Sequence, residues 1–139
     1  MKKLEVFGAA KLKGHIRISG SKNASLPILA ATLLSNKKIS LANLPRVKDI
    51  ETMILLLKSL GSVIDDNKKK LIIKNTKQTK TFAAYSLVKT MRAGILVLGP
   101  LLAKFSKAKV SLPGACAIGT RPVDIHLQAL STLGVRYKI

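Results

Sequence analysis

The sequence predicts an α/β (α+β) fold built from two similar units, and three observations carry that prediction. Asn23-Ala24-Ser25-Leu26 lines up with Arg92-Ala93-Gly94-Ile95, Ile39-Ser40-Leu41 with Val110-Ser111-Leu112, and Leu60-Gly61-Ser62-Val63-Ile64 with Leu133-Gly134-Val135-Arg136-Tyr137, a period of roughly 70 residues. Within each unit, apolar residues three and four apart alternate with short runs of Ile, Val and Leu, so each reads helix, strand, helix, strand. Of the 139 residues, 47% are hydrophobic, while only three Phe and two Tyr are aromatic, which predicts an aliphatic core in a chain long enough to bury one.

In chain order, residues 4–7 and 15–19 are expected as short strands, the second alternating Ile16 and Ile18 with polar neighbours. Gly20-Ser21-Lys22-Asn23 follows as a turn. Residues 26–34 are apolar enough for a buried helix, with Pro27 tolerated if the helix begins only a residue or two earlier. Lys22 and Asn23 then stand at the helix mouth, where free backbone N–H groups, a positive dipole end and an ammonium converge as a natural anion site. Residues 38–41 read as a strand. Pro45 leads into a helix over 47–60, with Ile50, Met53, Ile54 and Leu57 on one face, Asp49 and Glu51 suiting its N-terminal dipole and Gly61 as its stop. Residues 62–64 and 71–73 flank Asp65-Asp66-Asn67-Lys68 as a hairpin turn. Leu87, Met91, Ile95, Leu98 and Leu102 predict a second long helix, apolar on most faces and therefore buried between layers. Arg92, near its start, either snorkels to solvent or holds an anion. Residues 135–139 read as a last strand without a partner, an open edge that a self-sufficient domain avoids, so truncation is expected.

The chemistry is expected in Leu112-Pro113-Gly114-Ala115-Cys116-Ala117-Ile118-Gly119-Thr120-Arg121-Pro122. Gly114 and Gly119 open backbone angles closed to other residues, and Pro122 pushes Arg121 out of the α region, so this is a shaped loop. A lone cysteine reads either as a small buried hydrophobe or, beside Arg121 and a helix N-terminus, as a reactive thiolate. One cysteine excludes an intrachain disulfide, and the N-terminus lacks the apolar core of a signal peptide, so a reducing cytoplasm is the expected location. The longest apolar run, residues 94–103, is too short to span a bilayer and contains Gly99-Pro100, so no membrane segment is expected. The formal net charge of +19 raises nucleic-acid binding as a class. The basic residues are mostly lysines scattered along the chain without interleaved aromatics, which argues against a nucleic-acid partner and for a solvated surface.

Three motifs in order then carry a resemblance. Gly20-Ser21-Lys22-Asn23-Ala24-Ser25-Leu26-Pro27, Leu87-Val88-Lys89-Thr90-Met91-Arg92-Ala93 and the loop from Leu112 through Val123 and Asp124 resemble the N-terminal third of the UDP-N-acetylglucosamine enolpyruvyl transferase family. The resemblance implies an inside-out α/β barrel of βαβαββ repeats, here truncated to about two units, with residues 1–21 crossing to a second domain and 22–139 forming part of the first. It implies two substrates, phosphoenolpyruvate and UDP-N-acetylglucosamine, and neither metal nor cofactor. By the same resemblance Lys22 and Arg121 hold phosphoenolpyruvate, and Asn23 contacts the amino sugar. Arg92 and the run Arg121, Pro122, Val123, Asp124 and Ile125 engage the UDP-sugar, with Ile125 standing where the family has leucine. Cys116 is implied as the acid, able to form a covalent adduct with phosphoenolpyruvate and to be alkylated by the epoxide antibiotic fosfomycin. The related family that acts on shikimate 3-phosphate shares the lysine-bearing turn and lacks the cysteine loop, so Cys116 discriminates between them. The resemblance puts a general-base aspartate and a further arginine after Ile139, leaving a second expectation: a non-catalytic remnant, or a half that needs a separate C-terminal fragment.

Overall fold

Ile50, Met53, Leu56 and Leu57 share one helical face, and all four are buried. They belong to α2 (Lys48–Ser59), which carries Asp49 and Glu51 in its first turn and Lys58 in its last, so its charges complement the helix dipole. Gly61 takes φ 105° just past its end, a left-handed value open to a residue without Cβ. The helix expected over 47–60 is therefore present, with Val47 and Leu60 as its caps. The structure is a computed structural model describing residues 3–8, 11–67, 69–75, 80–89, 91–112 and 123–139.

Against α2 packs α1 (Lys22–Ala31), extended by a 3-10 turn at Thr32–Leu34. The helix begins earlier than expected, because Ser21 caps it by accepting the Ala24 N–H at 3.3 Å. Lys22 and Asn23 are thus its first two residues, and Pro27 lies inside it. The missing proline N–H frees the Asn23 carbonyl at an exposed residue, where water can take its place.

The first unit ends in a three-stranded sheet of β1 (Ile39–Ala42), β2 (Ser62–Asp66) and β3 (Lys70–Asn75), in the order β1-β3-β2 with both pairs antiparallel. The parallel strands β1 and β2 are linked through α2, and β3 folds back between them. Because β2 runs to Asp66, the turn centres on Asn67, whose Oδ1 accepts the Lys70 N–H at 2.8 Å. Asn75, at the far end of β3, closes the unit. Its Nδ2 donates to the carbonyls of Thr32 at 2.5 Å and Ser35 at 2.8 Å, and its Oδ1 accepts the Ser62 hydroxyl at 2.6 Å.

The second unit departs from expectation. The single long helix through 87–102 is instead α3 (Tyr85–Val88), a 3-10 stretch Arg92–Val97 and α4 (Leu98–Phe105). Met91 is extended at φ −143°, which breaks the helical path just before Arg92. Gly94 then packs on α3, where an added Cβ would lie 3.1 Å from Val88 Cγ1, and Pro100 falls in the first turn of α4, where its N–H is not needed. Lys104 of α4 donates to the Leu33 carbonyl at 2.8 Å, and desolvation holds its ammonium below the ordinary lysine range. β4 (Phe82–Ala83) and β5 (Lys109–Val110) form a parallel pair, with the Lys109 ammonium 5.6 Å from the centre of the Phe82 ring. β5 sits one residue earlier than the 110–112 equivalence implies, and β4 is too short to be read from sequence. α5 (Asp124–Thr132) follows, with Gly134 at φ 89° repeating the stop at Gly61.

Leu29, Leu33, Met53, Leu56, Leu57, Leu60, Ile73, Val88, Val97 and Leu101 are fully buried, the aliphatic core that the composition predicts. Residues 4–7, 15–19 and 135–139 are not strands. An extended run becomes a strand only beside a hydrogen-bonding neighbour, and no described residue pairs with them. Leu4, Phe7 and Ile16 are consequently 91%, 88% and 86% exposed.

Candidate functional site

Lys22 is placed by a close backbone crossing. A Cβ on Gly20 would lie 1.8 Å from the Asn43 carbonyl oxygen and 3.3 Å from Pro45 Cδ, so only glycine lets the chain entering α1 cross the loop entering α2. Asn43 itself takes φ 57° there. The crossing sets the two helix starts side by side, and Lys22 Nζ reaches Asp49 Oδ2 at 2.9 Å. Gly20→Ala is expected to destabilise the chain by about 1–3 kcal/mol, the range of a forced backbone shift, read as a lowered urea midpoint with unchanged slope.

The first turn of α1 contains Lys22 and no acid, the reverse of what the helix dipole favours. Asn23 follows it and is exposed. Arg92 opens the 3-10 stretch that packs against α1, at the repeat position matching Asn23. Its Nη2 is buried and has no hydrogen-bond partner among the described residues. Arg92 as a whole is half-buried, and a buried guanidinium N–H without an acceptor costs about 1–3 kcal/mol.

Val123, Asp124 and Ile125 lie at the start of α5, the first half-buried and the others exposed. Asp124 in the first turn suits the α5 dipole. Cys116, Arg121 and Pro122 fall outside the described residues. The structure therefore joins Lys22 and Asn23 on one helix start, packs the Arg92 stretch against that helix and puts Val123, Asp124 and Ile125 on another helix.

Two features escaped the sequence. Asp49 reads there only as a favourable charge at a helix start, since nothing local relates it to Lys22, 27 residues away. A groove of about 590 Å³ lies between Leu41, Leu44, Ile50, Ile54 and Leu71, with Arg17, Lys69, Lys70 and an Arg46–Asp66 ion pair along it, and includes none of the expected site residues. Hydrogen bonding to Asp66 raises the Arg46 guanidinium further above its ordinary value. Among the described residues, no helix is long and apolar enough to cross a membrane.

Over its whole length the chain is 94% identical to UDP-N-acetylglucosamine 1-carboxyvinyltransferase of Pelagibacter ubique (strain HTCC1062) and 53% identical to the enzyme of that name from Cellvibrio japonicus (strain Ueda107), spanning 33% of each. The enolpyruvyl transferase NikO from Streptomyces tendae shares its fold, with a TM-score of 0.74 at 17% identity over 95% of this chain and 29% of NikO. The α/β repeats are thus of the enolpyruvyl transferase type. Residues 6–139 match the family described as EPSP synthase (3-phosphoshikimate 1-carboxyvinyltransferase), and the chain belongs to that family.

Proposed function

We propose that this chain carries the first third of an enzyme that moves the enolpyruvyl group of phosphoenolpyruvate to the 3′-hydroxyl of UDP-N-acetylglucosamine, the first committed step of peptidoglycan synthesis. The observation that carries this reading is the 94% identity, sustained along all 139 residues, to a relative of that name. Transfer to shikimate 3-phosphate is the competing reading within the family, and Cys116 in its glycine-bounded loop speaks against it. The named relatives are about three times as long, so turnover is expected only together with that remaining length, within one polypeptide or from a separate C-terminal fragment. Residues 1–21 belong in this reading to the second domain and 22–139 to the first. The reaction serves cell-wall biogenesis, and through it cell shape and division, in the cytoplasm, without a nucleic-acid or membrane partner.

The chemistry asks for cations around a multiply anionic ground state and a proton donor at one carbon. Lys22 and Arg121 hold phosphoenolpyruvate, Asn23 contacts the amino sugar, and Arg92 with Arg121, Pro122, Val123, Asp124 and Ile125 engages the UDP-sugar. The buried Nη2 of Arg92, without a partner among the described residues, supports its part, since an acceptor on the ligand would satisfy it. As the sugar hydroxyl gives its proton to the general base that the resemblance implies after Ile139 and its oxygen adds to C2, Cys116 protonates C3. Loss of a proton from C3 then expels phosphate and restores the double bond of the enolpyruvyl ether.

The test is a chimera in which this chain replaces the first third of the Pelagibacter ubique enzyme. Lys22→Ala, Arg92→Ala and Arg121→Ala are each expected to raise the KM for a substrate or lower kcat by more than about tenfold, as charges acting in a water-poor cleft do. Neutralising Lys68, Lys69 and Lys70 together is expected to change either by less than about twofold, because Lys69 and Lys70 are exposed and such charges are screened. Phosphate release and substrate affinity are measured for both sets, alongside DNA binding at physiological salt. Sequence-selective DNA binding with substrate affinity indifferent to the first three residues would overturn the assignment.

A further inference from the structure

We infer that Asp49 is a positioning residue for the Lys22 ammonium and thereby sets affinity for the anionic substrate, an inference that rests on the proposed role of Lys22. The observation behind it is the 2.9 Å contact between Lys22 Nζ and Asp49 Oδ2, joining the first turns of two different helices. Local helix electrostatics do not account for a lysine at this place. A cation in the first turn of α1 faces the positive dipole end, and that turn holds no acid to offset it. The carboxylate that does so comes from α2, where it is itself favoured by the α2 dipole.

The contact is also a poor device for stability alone. The two side chains are 48% and 38% exposed, and ion pairs that open to water contribute little to folding. What it does is confine a four-carbon stem with many rotamers to one direction. An ammonium has three donors, so holding one on Asp49 leaves two for an incoming phosphate or carboxylate. An anion meeting a pre-ordered ammonium avoids the ordering cost of a rotamer-rich side chain. The Gly20 crossing over Asn43 brings the chain entering one helix into close contact with the loop entering the other.

The experiment is a double-mutant cycle in the same chimera, with KM for phosphoenolpyruvate, KM for UDP-N-acetylglucosamine, kcat and thermal midpoint read for each variant. Asp49→Ala is expected to raise the KM for phosphoenolpyruvate about threefold to tenfold, the equivalent of re-ordering one long side chain, while the KM for the UDP-sugar changes less than about twofold. Asp49→Glu, which restores a carboxylate, is expected to recover most of that loss. In a Lys22→Ala background Asp49→Ala is expected to add nothing, because the group it positions is gone. An unchanged or lowered KM for phosphoenolpyruvate in Asp49→Ala, with Lys22→Ala still impaired, overturns the inference and leaves the proposed function standing. Equal increases in both KM values with a fallen midpoint, or full additivity in the cycle, would make Asp49 a structural residue and overturn it too. If Lys22→Ala itself leaves phosphoenolpyruvate affinity intact, the proposed role of Lys22 fails first and the inference fails with it.

Discussion

Cys116→Ala in the completed chimera is expected to cut turnover to below about one hundredth, because losing a positioned proton donor costs about 10²–10⁴-fold. None of its sequence neighbours Gly114, Ala115, Ala117, Ile118 and Gly119 carries an acid. Cys116→Asp, which restores an acidic proton donor at the same place, is the informative companion. It is expected to recover part of the rate at low pH, where the carboxyl is protonated, and to lose it as pH rises through the carboxyl pKa. Fosfomycin adduct formation, followed by intact mass, is expected to vanish in both variants, because neither offers a thiolate. An unchanged rate in Cys116→Ala would remove this residue from the reaction and reopen transfer to shikimate 3-phosphate.

The largest effect on stability is expected at Asn75. Its amide satisfies the carbonyls of Thr32 and Ser35 and the hydroxyl of Ser62, tying the end of the α1 segment to the end of the central strand. Asn75→Leu strips these partners at a site where Asn75, Thr32 and Ser62 are buried, and is expected to cost about 3 kcal/mol, read from urea unfolding. Ser62→Ala, which leaves only one acceptor lone pair unfilled, is expected to cost about 1 kcal/mol. Asn75→Asp supplies a signed pH test. A carboxylate cannot donate to two carbonyls, so its folded pKa is raised above the unfolded value of about 3.9. Stability of that variant is therefore retained below pH of about 4 and lost as pH rises through the folded pKa. A variant equally stable at pH 4 and pH 7 would contradict the hydrogen-bond assignment at Asn75.

Elements whose cause is local were legible in advance. The stripe at Ile50, Met53 and Leu57, with Gly61 at its end, defines α2 to within a residue, because burial period and a positive-φ stop are written in adjacent positions. Gly134 repeats that stop, and the 70-residue correspondence carries over to β5 and α5, whereas residues 135–139, which match the start of β2, form no strand. The long helix through 87–102 was not legible, because apolar residues on every face suit one buried helix and three short ones alike. The break is made by the extended backbone of Met91 and by the packing of Gly94 on Val88.

The same division runs through the candidate site. The sequence by itself determined the residue types and their local settings: a lysine and asparagine at a helix start, an arginine ahead of an apolar run, a cysteine between glycines. Tertiary structure alone decided that Lys22 meets Asp49, that Arg92 buries a nitrogen with no acceptor among the described residues, and that Asn75 closes on a helix end 43 residues earlier. It also left residues 4–7 and 15–19 exposed, where alternating residues alone suggest strands. The physical reason is common to all of these. Periodicity and capping are set by neighbours along the chain, whereas a hydrogen bond, an ion pair or a strand ladder needs a partner whose position depends on how distant segments cross, as Gly20 crosses Asn43.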